Sequence, residues 1–276
     1  MVTKFLCLAA ATGLVALLAP LRLAAITYGF ADTQNAFSNV GAFIVVGPSG
    51  RIYPICSGTL IAPAVFLTAS HCTVYFTQTL APRGYTAAVS FDNTIPFGEL
   101  TTNKTKLIEA VEVVTNPAYN QAQSDSGDIA VLLLRRSPNG TTPATLPPAD
   151  LLDRLAAQNG LKGTIFTAVG YGVQNRVVGG GVPYFQDINP IPRMYAFSSF
   201  DSLNAGYIRL SQNPATGNGG TCSGDSGGPN FMNVNGTRIL AAITITGDTV
   251  CRSTNVDYRL DTQSARAFLA PFVALP

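Results

Sequence analysis

Short apolar runs closed by glycine or proline are the feature that most limits the fold of this chain. Residues 43–46, 65–68 and 238–247 are rich in β-branched and aromatic side chains, a composition typical of strands. The 26 Gly and 18 Pro favour turns between such strands. Helical periodicity is hard to find before the C-terminus, where Thr262 is placed to cap one short helix. We therefore expect an all-β protein with a short C-terminal helix.

The composition excludes several classes of protein. Of the 276 residues, 47% are apolar and 12% are charged, and the formal net charge is +2. The chain is too apolar to be disordered and too weakly basic for a dedicated nucleic-acid-binding protein. Without the N-terminal segment about 250 residues remain, a length that β-barrel proteins commonly use as a single domain.

The first 25 residues are typical of a signal peptide. Lys4 is followed by an uncharged apolar run at residues 5–19. This run of about 15 residues is shorter than the ~20 that a membrane span needs, and Ala24 and Ala25 offer a cleavage site. A retained membrane anchor is the alternative. We expect cleavage, export of residues 26–276 to the extracellular space or the periplasm, and no membrane association afterwards.

The cysteines agree with export. Cys7 lies inside the expected signal peptide, which leaves Cys56, Cys72, Cys222 and Cys251. An even number in an exported chain suggests two disulfides, for which three pairings are open. Cys56–Cys72 with Cys222–Cys251 is the most economical pairing, because both loops are short. The chain has no CxxC pair and one histidine, so we expect no metal site and no cofactor.

One serine lies in a glycine-rich stretch, Gly-Asp-Ser-Gly-Gly-Pro at residues 224–229. Glycines on both sides allow unusual backbone conformations and leave the neighbouring N–H groups accessible. An activated serine needs this arrangement, with an exposed Oγ and backbone donors aimed at a developing oxyanion. An ordinary glycine-rich turn is the alternative, because short motifs recur by chance.

A histidine and an aspartate stand at the ends of two apolar segments. His71, the sole histidine, follows the apolar run at residues 65–68 and is flanked by Cys72, which would pin the local backbone. Asp128 precedes the apolar run 129–134, where a carboxylate is partly desolvated and needs a strong donor such as an imidazole N–H. Asp125 is the competing carboxylate, three residues further from that strand.

With these sites marked, the chain resembles the chymotrypsin-like serine peptidases, which have the trypsin (S1-type) fold. The family's histidine, aspartate and serine motifs match residues 67–72, 128–132 and 224–229, in the family's order and with separations of 57 and 98 residues. Weaker similarity extends over four further segments: residues 26–29, 56–61, 170–172 and 258–260. The resemblance implies two six-stranded antiparallel β-barrels, divided near residues 140–163, with the active site in the cleft between them.

The resemblance also implies roles for individual residues. Ser226 is the expected nucleophile, His71 the general base and later the acid, and Asp128 the group that orients the imidazole. The backbone N–H groups of Gly224 and Ser226 are the expected oxyanion hole. Such an enzyme cleaves protein or peptide substrates through an acyl-enzyme. We expect a monomer that protein inhibitors of proteases can block, with no nucleic-acid partner.

In this family a new N-terminal amine pairs with the acid that precedes the serine, which here is Asp225. Ile26 matches that N-terminus. Cleavage after Ala25 would expose Ile26 directly, so we expect no separate zymogen step.

The expected specificity pocket is uncharged. Gly220 occupies the position, six residues before Ser226, that sets primary specificity in the family, and a glycine there argues against a preference for Lys or Arg. Three further residues are expected in the same pocket: Thr221, Thr246 and Gly247. We therefore predict cleavage after apolar or small P1 side chains. Asp257 lies near another pocket position, and a shifted alignment would restore a basic preference.

The chain departs from the family at one position near the expected active site, and two other functions are alternatives to a peptidase. Ile245 stands where the family has a serine that supports the catalytic aspartate, so we expect reduced activity. An α/β-hydrolase esterase also contains G-x-S-x-G but needs its histidine downstream of the serine, whereas His71 lies upstream. A catalytically silent homologue that serves as a binding module usually lacks a triad residue, and none is missing here.

Overall fold

The computed structural model of the chain describes residues 26–101, 106–173, 176–177, 184–185 and 189–276. The expected signal peptide lies outside the described residues. None of the described helices is long and apolar enough to cross a membrane.

The first half of the described chain forms an antiparallel barrel. The strands of this half of the chain are β1 Phe30–Ala31, β2 Val40–Val46, β3 Ile52–Ala62, β4 Val65–Thr68, β5 Thr86–Ser90, β6 Thr94–Ile95, β7 Leu107–Thr115 and β8 Ala130–Leu134. Six of them close in the order β2-β3-β4-β8-β7-β5. Their inward side chains, among them Phe43, Phe66 and Leu132, form an apolar core.

The second half forms the other barrel. The strands of this half of the chain are β9 Ile165–Gly170, β10 Arg176–Val177, β11 Tyr184–Phe185, β12 Ile191–Pro192, β13 Met194–Leu203, β14 Tyr207–Ser211, β15 Pro229–Val234, β16 Thr237–Gly247 and β17 Thr254–Arg259. The sheet order is β13-β14-β17-β16-β15-β9, and pairing of β13 with β9 closes it, while β1 lies on the outer edge of β13. Two closed six-stranded barrels confirm the expected architecture.

Short helices lie at the barrel ends. They are α1 Ser70–Tyr75, α2 Leu151–Ala157 and α3 Gln263–Leu269. The expected C-terminal helix is confirmed, because Thr262 Oγ1 accepts the Ala265 N–H at 3.2 Å and caps α3. Further helical turns continue α1 from Phe76 to Arg83.

A buried ion pair joins the two barrels. Arg193 and Asp32 are both nearly inaccessible, and Arg193 Nε lies 2.8 Å from Asp32 Oδ2. The Arg193 guanidinium also donates to the carbonyls of Val40 and Phe91, both at 3.1 Å. Since Arg193 immediately precedes β13, it ties the second barrel to the first.

Candidate active site

The ends of two neighbouring strands bring a histidine and an aspartate together. Thr68, the last residue of β4, pairs with Ala130, the first of β8. His71 lies three residues after Thr68 in the first turn of α1, and Asp128 lies two residues before Ala130. His71 Nδ1 is 2.9 Å from Asp128 Oδ2, and the His71 backbone N–H donates to Asp128 Oδ1 at 2.9 Å. Both carboxylate oxygens face one residue, which orients the imidazole and leaves Nε2 for proton exchange.

The backbone on either side of Asp128 is held from two directions. Ser70 Oγ donates to the Ile129 carbonyl at 2.7 Å, and Asn116 Nδ2 donates to the Gly127 carbonyl at 3.0 Å. The Asp128 side chain is 4% exposed, so its position depends on these contacts more than on solvent. The sequence analysis placed Ser70 in the histidine motif at residues 67–72 without assigning it a role, and it did not identify Asn116.

Ile245 gives no hydrogen bond to Asp128. In the described part of the chain, the hydrogen bonds to the Asp128 carboxylate come from His71. The contacts of Ser70 and Asn116 reach the neighbouring peptide carbonyls and not the carboxylate itself.

Asp125, the competing carboxylate, has other partners. Its Oδ1 accepts the Tyr258 hydroxyl at 2.7 Å, and its Oδ2 accepts the Ser264 hydroxyl at 2.5 Å. These bonds connect the loop before β8 to β17 and α3. The structure thus pairs Asp128 with His71 and gives Asp125 a contact between elements.

Ser226 lies in the turn before β15, and this turn packs against the chain that enters α1. A Cβ on Gly227, whose φ is +78°, would lie 2.2 Å from Thr68 Oγ1 and 2.7 Å from Ala69 N. Only glycine permits this approach. In α1, Cys72 Sγ lies 4.0 Å from the Ser226 carbonyl oxygen. The serine turn and the histidine helix are therefore direct neighbours.

Backbone hydrogen bonds fix the orientation of the serine turn. Val173 N–H donates to the Ser223 carbonyl at 2.8 Å. The N–H and C=O of a trans peptide point in opposite directions, so the Gly224 N–H points away from Val173. Asp225 N–H donates to the Cys222 carbonyl at 3.0 Å, which closes the turn.

Both disulfides of the economical pairing are formed. The Cα atoms are 6.4 Å apart in Cys56–Cys72 and 5.3 Å apart in Cys222–Cys251. Cys56, Cys72 and His71 are close enough to resemble a metal site. A metal-binding cysteine is a thiolate, however, and these two sulfurs are bonded to each other.

The Asp225 carboxylate is fully buried under the serine turn. It accepts the Gly172 N–H at 2.8 Å and the Cys222 N–H at 2.9 Å. Burial raises the pKa of the Asp225 carboxyl to about 7, because no Lys, Arg or His of the described residues pairs with it. A Cβ on Gly170 or Gly172 would lie 2.2 or 2.4 Å from the Asp225 oxygens, so both positions require glycine.

The segment that begins at Ile26 is inserted beside the serine turn. Thr27 and Gly220 exchange backbone hydrogen bonds of 2.9 and 3.0 Å. Ile26 is fully buried in an apolar cluster with three residues of β9 and β13: Ala168, Met194 and Ala196. The residue matched to the family's mature N-terminus is therefore already inside the second barrel.

A cavity of about 210 Å³ opens beside Ser226. Its wall includes Thr221, Thr244, Ile245, Thr246, Gly247 and Asp248. Three of the four residues expected from the sequence, Thr221, Thr246 and Gly247, are among them.

Gly220 lies outside this wall. A Cβ on Gly220 would be 2.1 Å from Gln212 Oε1, and Gln212 is fully buried. Gln212 Nε2 donates to Asp248 Oδ1 at 3.1 Å, which holds the amide behind the cavity. Gln212 therefore occupies the volume that a side chain at position 220 would need. No motif in the sequence pointed to Gln212.

Amides and a carboxyl lie directly behind the cavity wall. Thr221 Oγ1 donates to Asn255 Oδ1 at 2.7 Å, and Asp257 Oδ1 accepts from Asn230 Nδ2 at 2.6 Å and from Thr244 Oγ1 at 3.2 Å. Burial raises the pKa of Asp257 well above its usual range, which favours the neutral form of this carboxyl. It is Asn255, two residues earlier, that contacts the expected pocket residue.

Asp248 is the charged residue of the cavity wall. Partial burial favours its neutral form, but hydrogen bonds from the backbone N–H groups of residues 252–254 outweigh this and lower the pKa of Asp248. Its carboxylate is thus already bound by donors of its own loop.

Comparison with known families agrees with this geometry. The family model described as Trypsin matches residues 30–268. That range contains both barrels, the His71–Asp128 pair, the serine turn and the four bridged cysteines. The chain belongs to the trypsin family of chymotrypsin-like serine peptidases.

Proposed function

We propose that this chain is a secreted serine endopeptidase that uses Ser226, His71 and Asp128. The observation that carries the proposal is the pairing of both Asp128 carboxylate oxygens with His71, beside the turn that presents Ser226. His71 Nε2 takes the proton of Ser226 Oγ as that oxygen attacks the substrate carbonyl. The imidazolium then protonates the leaving amine, and water releases the acyl group from Ser226 by the reverse sequence.

The developing oxyanion is stabilised by the N–H groups of Gly224 and Ser226. The anchoring of the Ser223 carbonyl at Val173 supports this role, since it turns the Gly224 N–H away from Val173. Removing one donor of such a hole lowers kcat by about 10²–10³-fold.

The experiment that tests the activity is labelling by a fluorophosphonate probe. Wild type should be labelled, and Ser226→Ala should not. His71→Ala should lower the labelling rate and peptide hydrolysis by at least about 10⁴-fold. Ser223→Ala is the matched control, because that serine lies in the same turn and is assigned no proton transfer. An unlabelled wild type would favour the silent binding module.

Export and activation form part of the proposal. Two disulfides persist in oxidising compartments, which supports secretion after cleavage of residues 1–25. The amine of Ile26, freed by cleavage after Ala25, supplies the cation that buried Asp225 lacks among the described residues. N-terminal sequencing of active enzyme should give Ile26; a start at Ala25 or earlier contradicts direct activation.

We expect small or apolar uncharged P1 side chains. The cavity volume of about 210 Å³ and the raised pKa of Asp257, which favours its neutral form, support this preference. A panel of chromogenic peptides varied at P1 tests it. Efficient cleavage only after Lys or Arg would contradict it and direct attention to the Asp248 carboxylate.

A further inference from the structure

Ser57 of β3 contacts both residues that supply the proposed oxyanion donors. Its backbone N–H donates to the Ser226 carbonyl at 2.9 Å. Its Oγ donates to the Gly224 carbonyl at 3.0 Å and accepts the Tyr171 N–H at 3.0 Å. The side chain is fully buried, so water does not compete for these bonds.

The hydroxyl of Ser57 matters because Gly224 cannot restrain itself. Gly224 has a φ of +97° and no side chain. Its position is set from outside, by the Val173 N–H on the Ser223 carbonyl and by Ser57 Oγ on the Gly224 carbonyl. The N–H of Gly224 lies between these two contacts.

We propose that Ser57 is a positioning residue for the oxyanion hole. By holding the Gly224 carbonyl, it keeps the Gly224 N–H aimed at the substrate carbonyl without touching substrate. The bond also transmits the docking of the first barrel to the hole, because Ser57 belongs to β3 whereas Tyr171 and Gly224 belong to the second half. This inference rests on the proposed peptidase function.

Loss of the hydroxyl has a defined consequence. Ser57→Ala leaves the buried N–H of Tyr171 and the partly buried carbonyl of Gly224 without this partner. The Gly224 peptides then gain freedom to rotate. A misdirected donor stabilises the transition state less but leaves side-chain binding in the cavity unchanged, so the change appears in kcat rather than in KM.

The test compares Ser57→Ala with Thr59→Val. Thr59 lies on the same strand, is fully buried, and its hydroxyl has no hydrogen-bond partner among the described residues. We expect kcat of Ser57→Ala to fall about 20-fold with KM within about twofold, a smaller loss than deletion of a donor. Thr59→Val should keep wild-type kcat, and thermal melting of both variants reports stability separately.

A second readout separates positioning from general loosening. A peptide aldehyde forms a hemiacetal with Ser226 whose oxygen enters the hole, whereas the matching peptide alcohol has no carbonyl at that position and leaves the hole unfilled. In Ser57→Ala, aldehyde affinity should fall by the same factor as kcat/KM, and the affinity for the alcohol should not change. Equal losses for both ligands, or none for the aldehyde, would overturn the role of Ser57.

Two outcomes concern the variants themselves. If Ser57→Ala does not fold, Ser57→Gly removes the same hydroxyl from a smaller volume and should show the same pattern. A wild type without Ser226-dependent turnover overturns the proposed function. An active wild type whose Ser57 variants retain kcat overturns only the assignment of Ser57.

Discussion

The two barrels have the same number of strands but different interiors. On the strands of the first barrel, the buried polar side chains are hydroxyls, at Ser57, Thr59, Thr68 and Ser90. On the strands of the second barrel, buried amides and charged groups appear as well: Asn230, Asn255, Asp257 and Arg259. The interior of the first barrel is packed with apolar side chains, whereas the interior of the second barrel contains a layer of hydrogen-bonded polar side chains.

The difference follows what each barrel has to hold. The first barrel fixes the ends of β4 and β8, between which His71 and Asp128 meet, and hydrogen bonds from Ser70 and Asn116 hold the backbone beside Asp128. The second barrel surrounds the cavity beside Ser226, where Thr221 and Thr244 form its wall and bond to the polar layer behind. Polar groups there fix the wall by directional contacts, although Asp257 Oδ2 has no hydrogen-bond partner among the described residues.

The largest effect is expected at the contact between the barrels. Arg193→Ala leaves Asp32 buried and unpaired, which should destabilise the protein by about 3–5 kcal/mol. Urea unfolding measures it, with Arg238→Ala as the control because that guanidinium lies over the ring of Phe37 near the surface. A loss below about 1 kcal/mol, the range of exposed pairs, would show that the barrels are held together by other contacts.

A cavity in the first barrel should come next. Leu132 is fully buried on β8, and Leu132→Ala should cost about 3 kcal/mol. Because its surroundings are apolar, the loss should be equal at pH 5 and pH 8. A pH-dependent loss would mean that the first barrel contains a coupled titrating group.

The second barrel should respond to pH. Burial raises the pKa of Asp257 above its value in the unfolded chain. At a pH between these two pKa values the folded protein keeps a proton that the unfolded chain has released. Wild-type stability therefore falls with rising pH, and Asp257→Asn should remove this contribution. The free energy of unfolding of the variant should therefore rise relative to that of wild type between pH 5 and pH 8, by at most ~1.4 kcal/mol per pH unit. Urea unfolding at the two pH values measures the gain, and a constant difference would contradict a neutral buried acid.

The smallest effect is expected at the exposed pair of Arg135 and Glu109. Their side chains are 61% and 54% exposed, although Arg135 Nε lies 2.8 Å from Glu109 Oε2. Solvent screens such a pair, so Arg135→Ala should leave the melting temperature unchanged. A clear fall would indicate that this edge of the first barrel depends on the pair.

Much of the fold was predictable where sequence patterns are local. The strands near residues 43–46, 65–68 and 238–247 follow from apolar runs, and the cap of α3 follows from Thr262. β15 and β17 were not predicted, because buried Asn230, Asn255 and Asp257 interrupt their apolar pattern. Because these inward-facing side chains are polar, the alternation of apolar and polar residues does not reveal the strands that carry them.

The candidate site divides in the same way. The motifs around His71, Asp128 and Ser226 are continuous in sequence, so residue type and spacing were enough to select them. Gln212 and Ser57 contact residues far along the chain; no motif contains Gln212, and the match of residues 56–61 to the family assigned Ser57 no role. Their environments arise only when the barrels close and dock.

The contact of Gly170 and Gly172 with Asp225 has a consequence for how this chain can vary. Neither glycine touches the cavity beside Ser226, yet any side chain at either position would displace the buried carboxylate. A saturation library selected for proteolysis should therefore be depleted of all substitutions at both positions, as strongly as at residues that contact substrate. Positions such as Gly140 and Gly236, where a Cβ meets nothing within 4 Å, should accept more replacements, with their positive φ as the remaining restriction. The sites least open to evolutionary change thus extend beyond the surface that meets the peptide.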